Sequence, residues 1–193
     1  MKKIVIIGSS GAGKSTLARK LGSTLKIKAF HLDRFFWQRG WKRETRDTRI
    51  DILQDLVGEK RWIIEGSYLS LSELFLGAAD TIIFLDTPPL LCLQRIIKRH
   101  RKYRGRSRRD IPEGCTDRLT LAHILKVLAF PFGGRRTLKQ KLHNYNKSKQ
   151  IIMLCSIQEV EDFLAQQEQD TDDRTNFSSK APIKERLSVT TGR

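Results

Sequence analysis

Short apolar runs alternate with segments of helical periodicity along most of the chain. The strand-like runs are residues 4–7, 28–33, 62–65, 81–86 and 151–155. After the first of them, Leu17, Leu21 and Leu25 recur at spacing four, which predicts a helix. Strands that alternate with helices in this way predict an α/β fold, in which a five-stranded parallel sheet lies between two helical layers.

Two later helices are marked by signals near their first residues. A Pro-Pro pair begins a helix in which we expect Leu90, Leu93 and Ile97 to face the core. Ser156 and Glu159 are spaced as a capping box, which predicts the start of the last helix directly after the fifth strand.

The length of 193 residues fits one domain with a substantial core. We assign residues 1–167 to this domain. Residues 168–193 are rich in polar side chains without apolar periodicity, which predicts a disordered tail. No apolar run approaches membrane-spanning length, and the three isolated cysteines fit a reducing compartment. We therefore expect a cytoplasmic protein without a membrane partner; nothing in the sequence indicates its oligomeric state.

The positive charge is concentrated in one segment. Residues 95–149 contribute +14 of the formal net charge of +16. A positive field confined to one region attracts anionic partners to one face of a protein. This distribution alone does not distinguish nucleoside triphosphates from nucleic acid or an acidic protein.

The segment between the first strand and the first helix fills the pattern GxxxxGK[ST] at every fixed position. Backbone N–H groups of such a loop surround phosphate oxygens, and the following helix adds its dipole. Lys14 is expected to bridge the β- and γ-phosphates, and Ser15 to bind Mg²⁺. The motif predicts a site for ATP, or another nucleoside triphosphate, with Mg²⁺. The predicted nucleotide-binding residues are Gly8, Ser9, Ser10, Gly11, Ala12, Gly13, Lys14, Ser15 and Thr16.

Two carboxylates are candidates for the second protein residue at the Mg²⁺ site, beside Ser15. Glu65 ends the third strand, beside the first strand in this kind of sheet, where it can hold a water of Mg²⁺. Asp86 ends the fourth strand and is a rival for the same role. Gly66 follows Glu65 and allows a substrate to approach the backbone. We predict Ser15 and Glu65 as the metal residues, with Asp86 as the alternative.

The segment from Asp33 to about residue 60 has the composition of a substrate-binding insert. Asp33 can accept a proton from a substrate hydroxyl. Phe36 and Trp37 can stack on a ring, and Arg46, with Trp41 and Arg43 nearby in sequence, can hold an anion. In the alternative interpretation, the aromatic side chains fill the edge of the core and Asp33 caps a turn.

Nine cations occur within fifteen residues without an acid. They are Arg95, Lys98, Arg99, Arg101, Lys102, Arg104, Arg106, Arg108 and Arg109. Guanidinium groups that close over a γ-phosphate stabilise the transferred group, which predicts a lid over about residues 99–117 with Arg95 and Arg99 as catalytic residues. The alternatives are a nucleic-acid patch and a solvated loop. The patch is less favoured because Tyr103 is the only aromatic residue interleaved with the cations.

Together these motifs resemble the adenylate-kinase-like branch of the P-loop fold. More narrowly, the chain is similar to the bacterial topology modulation, or flagellar-regulator-related, proteins. The residues that carry this resemblance are Gly8–Ser15, His31-Leu32-Asp33 with Phe36-Trp37, Trp62–Gly66, Phe84–Asp86, Arg95 through Arg106, and Glu113–Cys115.

The resemblance implies a three-layer sandwich with sheet order 2-3-1-4-5 and an arginine-rich lid. It also implies that Arg95 and Arg99 contact the triphosphate and that the loop around Ser156 borders the nucleotide base. Adenylate kinases carry an arginine shortly after the third strand; here Glu65-Gly66 is followed by Ser67-Tyr68. This departure argues against AMP as the acceptor.

The sequence therefore predicts an ATP- and Mg²⁺-dependent phosphotransferase with a small acceptor such as a nucleoside, nucleotide or metabolite. The alternative is a nucleotide-switched regulatory ATPase that binds DNA, RNA or a protein through residues 95–149. A third interpretation keeps the fold and assigns the basic segment to an oligomer or ribosome contact.

Overall fold

The structure is a computed structural model that describes residues 1–107 and 110–180. A parallel sheet of five strands forms its centre. In spatial order these strands are β2 (Ala29–His31), β5 (Trp62–Glu65), β1 (Lys3–Gly8), β6 (Thr81–Leu85) and β7 (Gln150–Leu154). Counted along the chain, the five parallel strands have the order 2-3-1-4-5, so the predicted α/β sandwich is confirmed.

Eight α-helices, two short 3-10 helices (Arg39–Trp41 and Leu69–Leu71) and a small hairpin complete the described chain. The helices are α1 (Lys14–Leu25), α2 (Leu32–Phe36), α3 (Arg46–Gly58), α4 (Ser72–Ala78), α5 (Pro89–Lys102), α6 (Leu121–Leu128), α7 (Gly134–Tyr145) and α8 (Ile157–Lys180). The hairpin pairs β3 (Trp37–Gln38) with β4 (Lys42–Arg43). None of the helices in residues 1–107 and 110–180 is long and apolar enough to cross a membrane.

The central strand β1 shows why helices cover both faces of the sheet. Its apolar residues are fully buried, and successive side chains of a strand point to opposite faces. Val5 and Ile7 therefore join one core, which includes residues of α3, α4 and α7. Ile4 and Ile6 join the other core, which includes residues of α1, α5, α6 and α8. An all-apolar run in a central parallel strand is the sequence signature of this two-sided burial.

The predicted inward face of α5 is wrong for Leu90, whereas Leu93 is half-buried and packs against the core on the α1 side. Leu90 is 75 % exposed. It lines a shallow surface groove together with Leu93 and Ile97. The buried residues of α5 are Cys92 and Ile96, which belong to the core on the α1 side of the sheet. The helix carries two apolar stripes, and the Cys92 stripe is buried because it packs against the loop that follows β1.

The predicted disordered tail is corrected as far as Lys180. The capping box is present, because Ser156 Oγ accepts from the Glu159 N–H at 3.1 Å. The helix that it begins continues past Glu168 to Lys180. Once a helix has formed, each further residue adds a hydrogen bond without needing an apolar partner, so periodicity disappears before the helix ends. Residues 181–193 of the predicted tail lie outside the described residues.

The predicted second strand is shorter than expected. It stops at His31, and Asp33 lies in the first turn of the five-residue helix α2 rather than at a strand end. The hairpin of β3 and β4 follows directly. The insert therefore begins with regular structure, and this brings Asp33 and Trp37 to the carboxyl edge of the sheet, where parallel α/β sheets bind their ligands.

Candidate active site

The loop between β1 and α1 has a backbone that only glycine can form. Gly8, Gly11 and Gly13 have φ values of +148°, +81° and +106°. A Cβ atom on Gly8 would lie 2.5 Å from the Leu85 carbonyl oxygen, and one on Gly11 would lie 2.4 Å from the Cys92 carbonyl oxygen. The glycines therefore give both the left-handed turns and the close packing of this loop against β6 and α5.

We expect Gly11→Ala to destabilise the fold by about 1–3 kcal/mol, because the new Cβ would collide with backbone and occupy a strained conformation. Nucleotide affinity should fall with it, since the loop must shift. Thermal unfolding and nucleotide titration would measure both effects. Gly77→Ala is the matched control, because a Cβ there meets nothing within 4 Å. Equal unfolding temperatures for the two variants would contradict the steric argument.

Side chains outside the loop hold its carbonyl groups. Thr87 Oγ1 donates to the Ala12 carbonyl at 3.3 Å, and the Arg95 guanidinium donates to the same oxygen at 3.1 Å. Ser67 joins the loop to the end of β5, since its Oγ donates to the Gly8 carbonyl at 2.5 Å and accepts from the Gly8 N–H at 3.1 Å. Ser67 was not predicted from the sequence. Because side chains from outside the loop bind its carbonyl groups, the backbone N–H groups of the loop are left to bind an anion.

Lys14 begins α1 and lines the same cleft as Glu65 and Asp33. Its Nζ donates to the Ser9 carbonyl at 2.9 Å. Burial lowers the pKa of Lys14, while the negative charges of Glu65 and Asp33 act in the opposite direction. Lys14, Glu65 and Asp33 all line this one cleft, so the predicted phosphate, metal and acceptor residues share it.

Ser15 and Glu65 form a direct pair. Ser15 Oγ donates to Glu65 Oε1 at 2.8 Å. Glu65 is 5 % exposed. Burial by itself raises the pKa of Glu65, but a hydrogen bond from His31, the charge of Lys14 and the Ser15 hydroxyl together bring it below its usual value. The carboxylate is therefore ionised, as a position next to a metal requires.

This pair fits Mg²⁺. Within the part of the chain that the structure describes, no group of three or more His, Cys, Asp or Glu side chains could hold a metal ion by itself. Mg²⁺ in nucleotide sites takes few protein ligands and completes its octahedron with water and phosphate oxygens. A hydroxyl and a buried carboxylate at the end of the phosphate loop match that donor set.

The rival carboxylate, Asp86, faces another partner. Arg135 at the start of α7 makes a bidentate pair with it, with Nε to Oδ1 and Nη2 to Oδ2 both at 2.7 Å. Lys139 adds a second cation at 3.4 Å. Asp86 thus joins α7 to the end of β6 and is not among the residues that line the cleft.

Asp33 lines the cleft, at the end of a chain of hydrogen bonds that runs from Trp37 through Tyr68. The Tyr68 hydroxyl donates to Asp33 Oδ1, and Trp37 Nε1 donates to the Tyr68 oxygen at 3.0 Å. Burial, followed by the charge of Asp33, raises the pKa of Tyr68, so its hydroxyl stays protonated and keeps donating. Tyr68 was not predicted as a site residue, although its place just after Glu65-Gly66 is a usable signal.

The predicted substrate-binding role of Phe36 is wrong. Its side chain is fully buried and packs edge-on against Tyr68, with ring centroids 4.6 Å apart. Trp37, the next residue, lines the cleft instead. The two side chains point in different directions because α2 ends between them and the backbone becomes extended at Trp37. Phe36 therefore supports Tyr68 from the core.

Arg43, rather than Arg46, reaches the acceptor side. Arg43 lies over the Trp37 ring at 5.8 Å and lines the cleft with Arg34 and Trp41. Arg46 is exposed at the first turn of α3 and is not among the lining residues, so its predicted role is corrected. The helical direction of α3 carries Arg46 away from the cleft. Gly66, in contrast, lines the cleft as expected.

The two predicted lid arginines both line the cleft, each with a protein partner. Arg95 contacts the phosphate loop as described above. Arg99 Nε lies 3.1 Å from Oδ1 of the buried Asp117, which also has His100 Nδ1 at 3.6 Å from its other oxygen. Five other members of the cationic run are exposed and do not line the cleft: Lys98, Arg101, Lys102, Arg104 and Arg106. Arg108 and Arg109 lie outside the described residues.

The segment predicted to be the lid contacts the predicted substrate-binding insert directly. Trp41 Nε1 donates to the Thr116 carbonyl at 2.9 Å, and the Cys115 thiol donates to the Gln38 carbonyl at 3.2 Å. Between them, Gly114 packs so closely that a Cβ would lie 2.6 Å from Arg39 Cγ. The Glu113–Cys115 motif seen in the sequence therefore marks the place where the lid meets the β3–β4 hairpin.

Three residues that line the cleft were not predicted from the sequence as site residues. One of them is His123, whose Nε2 lies 2.8 Å from Ser10 Oγ. Burial lowers the pKa of His123, and the charge of Arg99 adds to the effect. Arg118 and Lys126 also line the cleft.

The whole cleft has a volume of about 2290 Å³. This is larger than common single-ligand pockets and gives room for two ligands.

No protein-family model matches the chain. A protein of Bacillus subtilis (strain 168), named uncharacterized protein YqaC, is 24 % identical over 163 residues, which are 83 % of this chain and 89 % of that protein. Among solved structures, the shikimate kinase from Acinetobacter baumannii in complex with shikimate aligns with a TM-score of 0.53 and 19 % identity, covering 94 % of this chain and 96 % of the other. The shikimate kinase from Bacteroides thetaiotaomicron aligns with a TM-score of 0.52 and 16 % identity, covering 88 % and 97 %.

At these identities the solved structures show the fold alone. They align with nearly the whole of this chain, and each of the two is itself covered almost completely. The chain therefore has the kinase-like P-loop fold.

Proposed function

We propose that this protein is a nucleoside-triphosphate- and Mg²⁺-dependent phosphotransferase that acts on a small acceptor. The observation that carries the proposal is the position of Lys14. It lines one cleft together with the hydrogen-bonded Ser15–Glu65 pair and with Asp33. A donor site beside a carboxylate that faces free volume is the arrangement that phosphoryl transfer requires.

In the proposed reaction, the bond between the γ-phosphorus and the bridging oxygen of the donor breaks. A new P–O bond forms to an acceptor hydroxyl, and the hydroxyl proton passes to Asp33. The products are a nucleoside diphosphate and a phosphate ester of the acceptor. Mg²⁺, held by Ser15 and through Glu65, would neutralise charge on the phosphate oxygens. Tyr68 fixes the orientation of Asp33, and Lys14 stabilises the transferred group.

The acceptor side favours a ring-bearing or anionic alcohol. Trp37 and Trp41 pack edge-on with centroids 5.6 Å apart, and the Arg43 guanidinium lies against the first of them. Aromatic rings next to cations suit a ligand ring that carries negative charge. The fold that this chain shares with shikimate kinases is compatible with such a ligand, and the narrower likeness to topology modulation proteins stays a prediction.

A panel of acceptors tests the proposal. Consumption of ATP is measured with nucleosides, nucleotides, hydroxy acids and sugars, each against a reaction without acceptor. We expect one chemical class to stimulate turnover strongly, and a phosphate ester of that compound to appear in amounts equal to the ADP formed. A flat panel, with tight binding of ATP, would contradict the phosphotransferase assignment.

The second candidate is a nucleotide-switched regulatory ATPase that binds a polyanion. The observation in its favour is that five cations between Lys98 and Arg106 are exposed outside the cleft. Nucleic acid bound there would lose affinity steeply with salt, because each neutralised phosphate releases counterions. A steep salt slope together with the flat acceptor panel would support this candidate.

A further inference from the structure

His31 lies between two carboxylates and is almost completely buried. It ends β2, which pairs with β5 so that His31 is the direct partner of Glu65 in the parallel register. Residues paired in this way project to the same face of a sheet, so the register itself brings the two side chains together. The histidine is 8 % exposed, which makes the contact an interior one.

The hydrogen bond between them has a defined direction. His31 Nδ1 lies 2.9 Å from Glu65 Oε1. An ionised carboxylate only accepts hydrogen bonds, so Nδ1 carries the proton and donates it. Ser15 donates to the same oxygen. Glu65 is thus oriented by two donors, one from the phosphate loop and one from the edge strand.

The other side of the imidazole ring faces the lid segment. His31 Nε2 lies 3.8 Å from Asp110 Oδ1, and Asp110 pairs with Arg19 of α1. The ring is therefore enclosed between Glu65 and an acid that α1 holds in place. Enclosure from both sides restricts the rotation of the ring, which is what a residue needs in order to orient another one.

We propose that His31 is a positioning residue for Glu65, and that its Nδ1–H group sets the orientation in which this carboxylate serves the Mg²⁺ of a bound nucleotide. This inference rests on the proposed function, and it assigns to His31 a role in metal-nucleotide affinity. His31 touches neither nucleotide nor acceptor in this role. Outer partners of metal-binding carboxylates commonly contribute 10–100-fold to metal affinity.

Three substitutions separate the hydrogen bond from simple packing. In His31→Asn, the amide nitrogen can take the place of Nδ1 and still donate to Glu65. In His31→Gln, the longer side chain brings its amide toward the Nε2 position instead. His31→Leu keeps apolar volume and removes both nitrogen atoms. His143→Leu is the matched control, because His143 is exposed on α7 and outside the cleft.

The readout is the dissociation constant of a fluorescent ATP analogue, measured once with Mg²⁺ and once with EDTA. We expect His31→Leu to weaken binding about 10–100-fold with Mg²⁺ and to leave binding in EDTA unchanged. His31→Asn should restore most of the loss, and His31→Gln should not. If His31→Leu does not fold, as judged by thermal unfolding, the proposal is tested by comparing the dissociation constants of His31→Asn and His31→Gln in Mg²⁺.

Two results would overturn the proposal: equal weakening with and without Mg²⁺, or an Asn variant no better than the Gln variant. The measurement needs no acceptor. A flat acceptor panel would therefore contradict the phosphotransferase assignment without affecting the role of His31. Likewise, a negative result for His31 would leave the phosphotransferase assignment untouched.

Discussion

Lys14→Ala is expected to reduce ATP-dependent transfer by about 10³-fold or more, because it removes the cation that stabilises the transferred phosphoryl group. The fold should survive the change. Burial lowers the pKa of Lys14, so placing its charge in the cleft costs free energy of folding, and alanine removes that cost. Turnover in the presence of the best acceptor, together with the thermal unfolding temperature, measures both expectations.

Lys60→Ala serves as the control for Lys14→Ala. Lys60 is exposed after α3 and does not line the cleft, so its replacement removes the same formal charge without touching the site. Its turnover should equal that of the unmodified protein. Undiminished turnover in Lys14→Ala would show that the phosphate loop takes no part in the reaction, and this would contradict the proposed function.

Asp33→Asn is expected to lower kcat by about 10²–10⁴-fold, the contribution of a well-placed general base. Asparagine has the same shape as aspartate, and its carbonyl oxygen can still accept from the Tyr68 hydroxyl. The acceptor side should therefore keep its geometry and lose only the capacity to take a proton. The dissociation constant of the Mg²⁺-nucleotide should not rise, because the change removes a negative charge near Lys14 and no phosphate-binding group.

Asp51→Asn is the comparison for Asp33→Asn, since Asp51 is exposed on α3 away from the cleft. A kcat of Asp33→Asn close to that of Asp51→Asn would show that Asp33 is not the base. Parallel losses of kcat and of nucleotide affinity would instead indicate a structural defect that reaches across the cleft.

The donor half of the site could be predicted from the sequence because its geometry is local. The glycines, Lys14 and Ser15 lie within eight consecutive residues between a buried strand and a helix, so the pattern already contains the backbone shape. Glu65 was also predictable, since the order of strands in a parallel sheet places the end of β5 beside the end of β1. Ser67, which holds the Gly8 end of the loop, was not predicted.

The acceptor half depends on contacts between distant segments, and there adjacent positions could not be ranked. Phe36 and Trp37 are neighbouring aromatic residues with similar propensities, and only the end of α2 decides that one is buried and the other lines the cleft. Likewise, α5 has two apolar stripes, and packing against the phosphate loop selects between them. Periodicity gives the existence of an apolar stripe, whereas its burial is a tertiary property.

The contacts of Trp41, Gly114 and Cys115 have a kinetic consequence. They join the segment predicted to be the lid to the β3–β4 hairpin of the predicted substrate-binding insert. In the proposed reaction, opening either part would break the same few hydrogen bonds, so one motion would admit both substrates and release both products. In such an enzyme the exchange of spent nucleotide and the escape of the ester share a single barrier, so loosening the fastening speeds turnover only where departure, rather than chemistry, limits the rate.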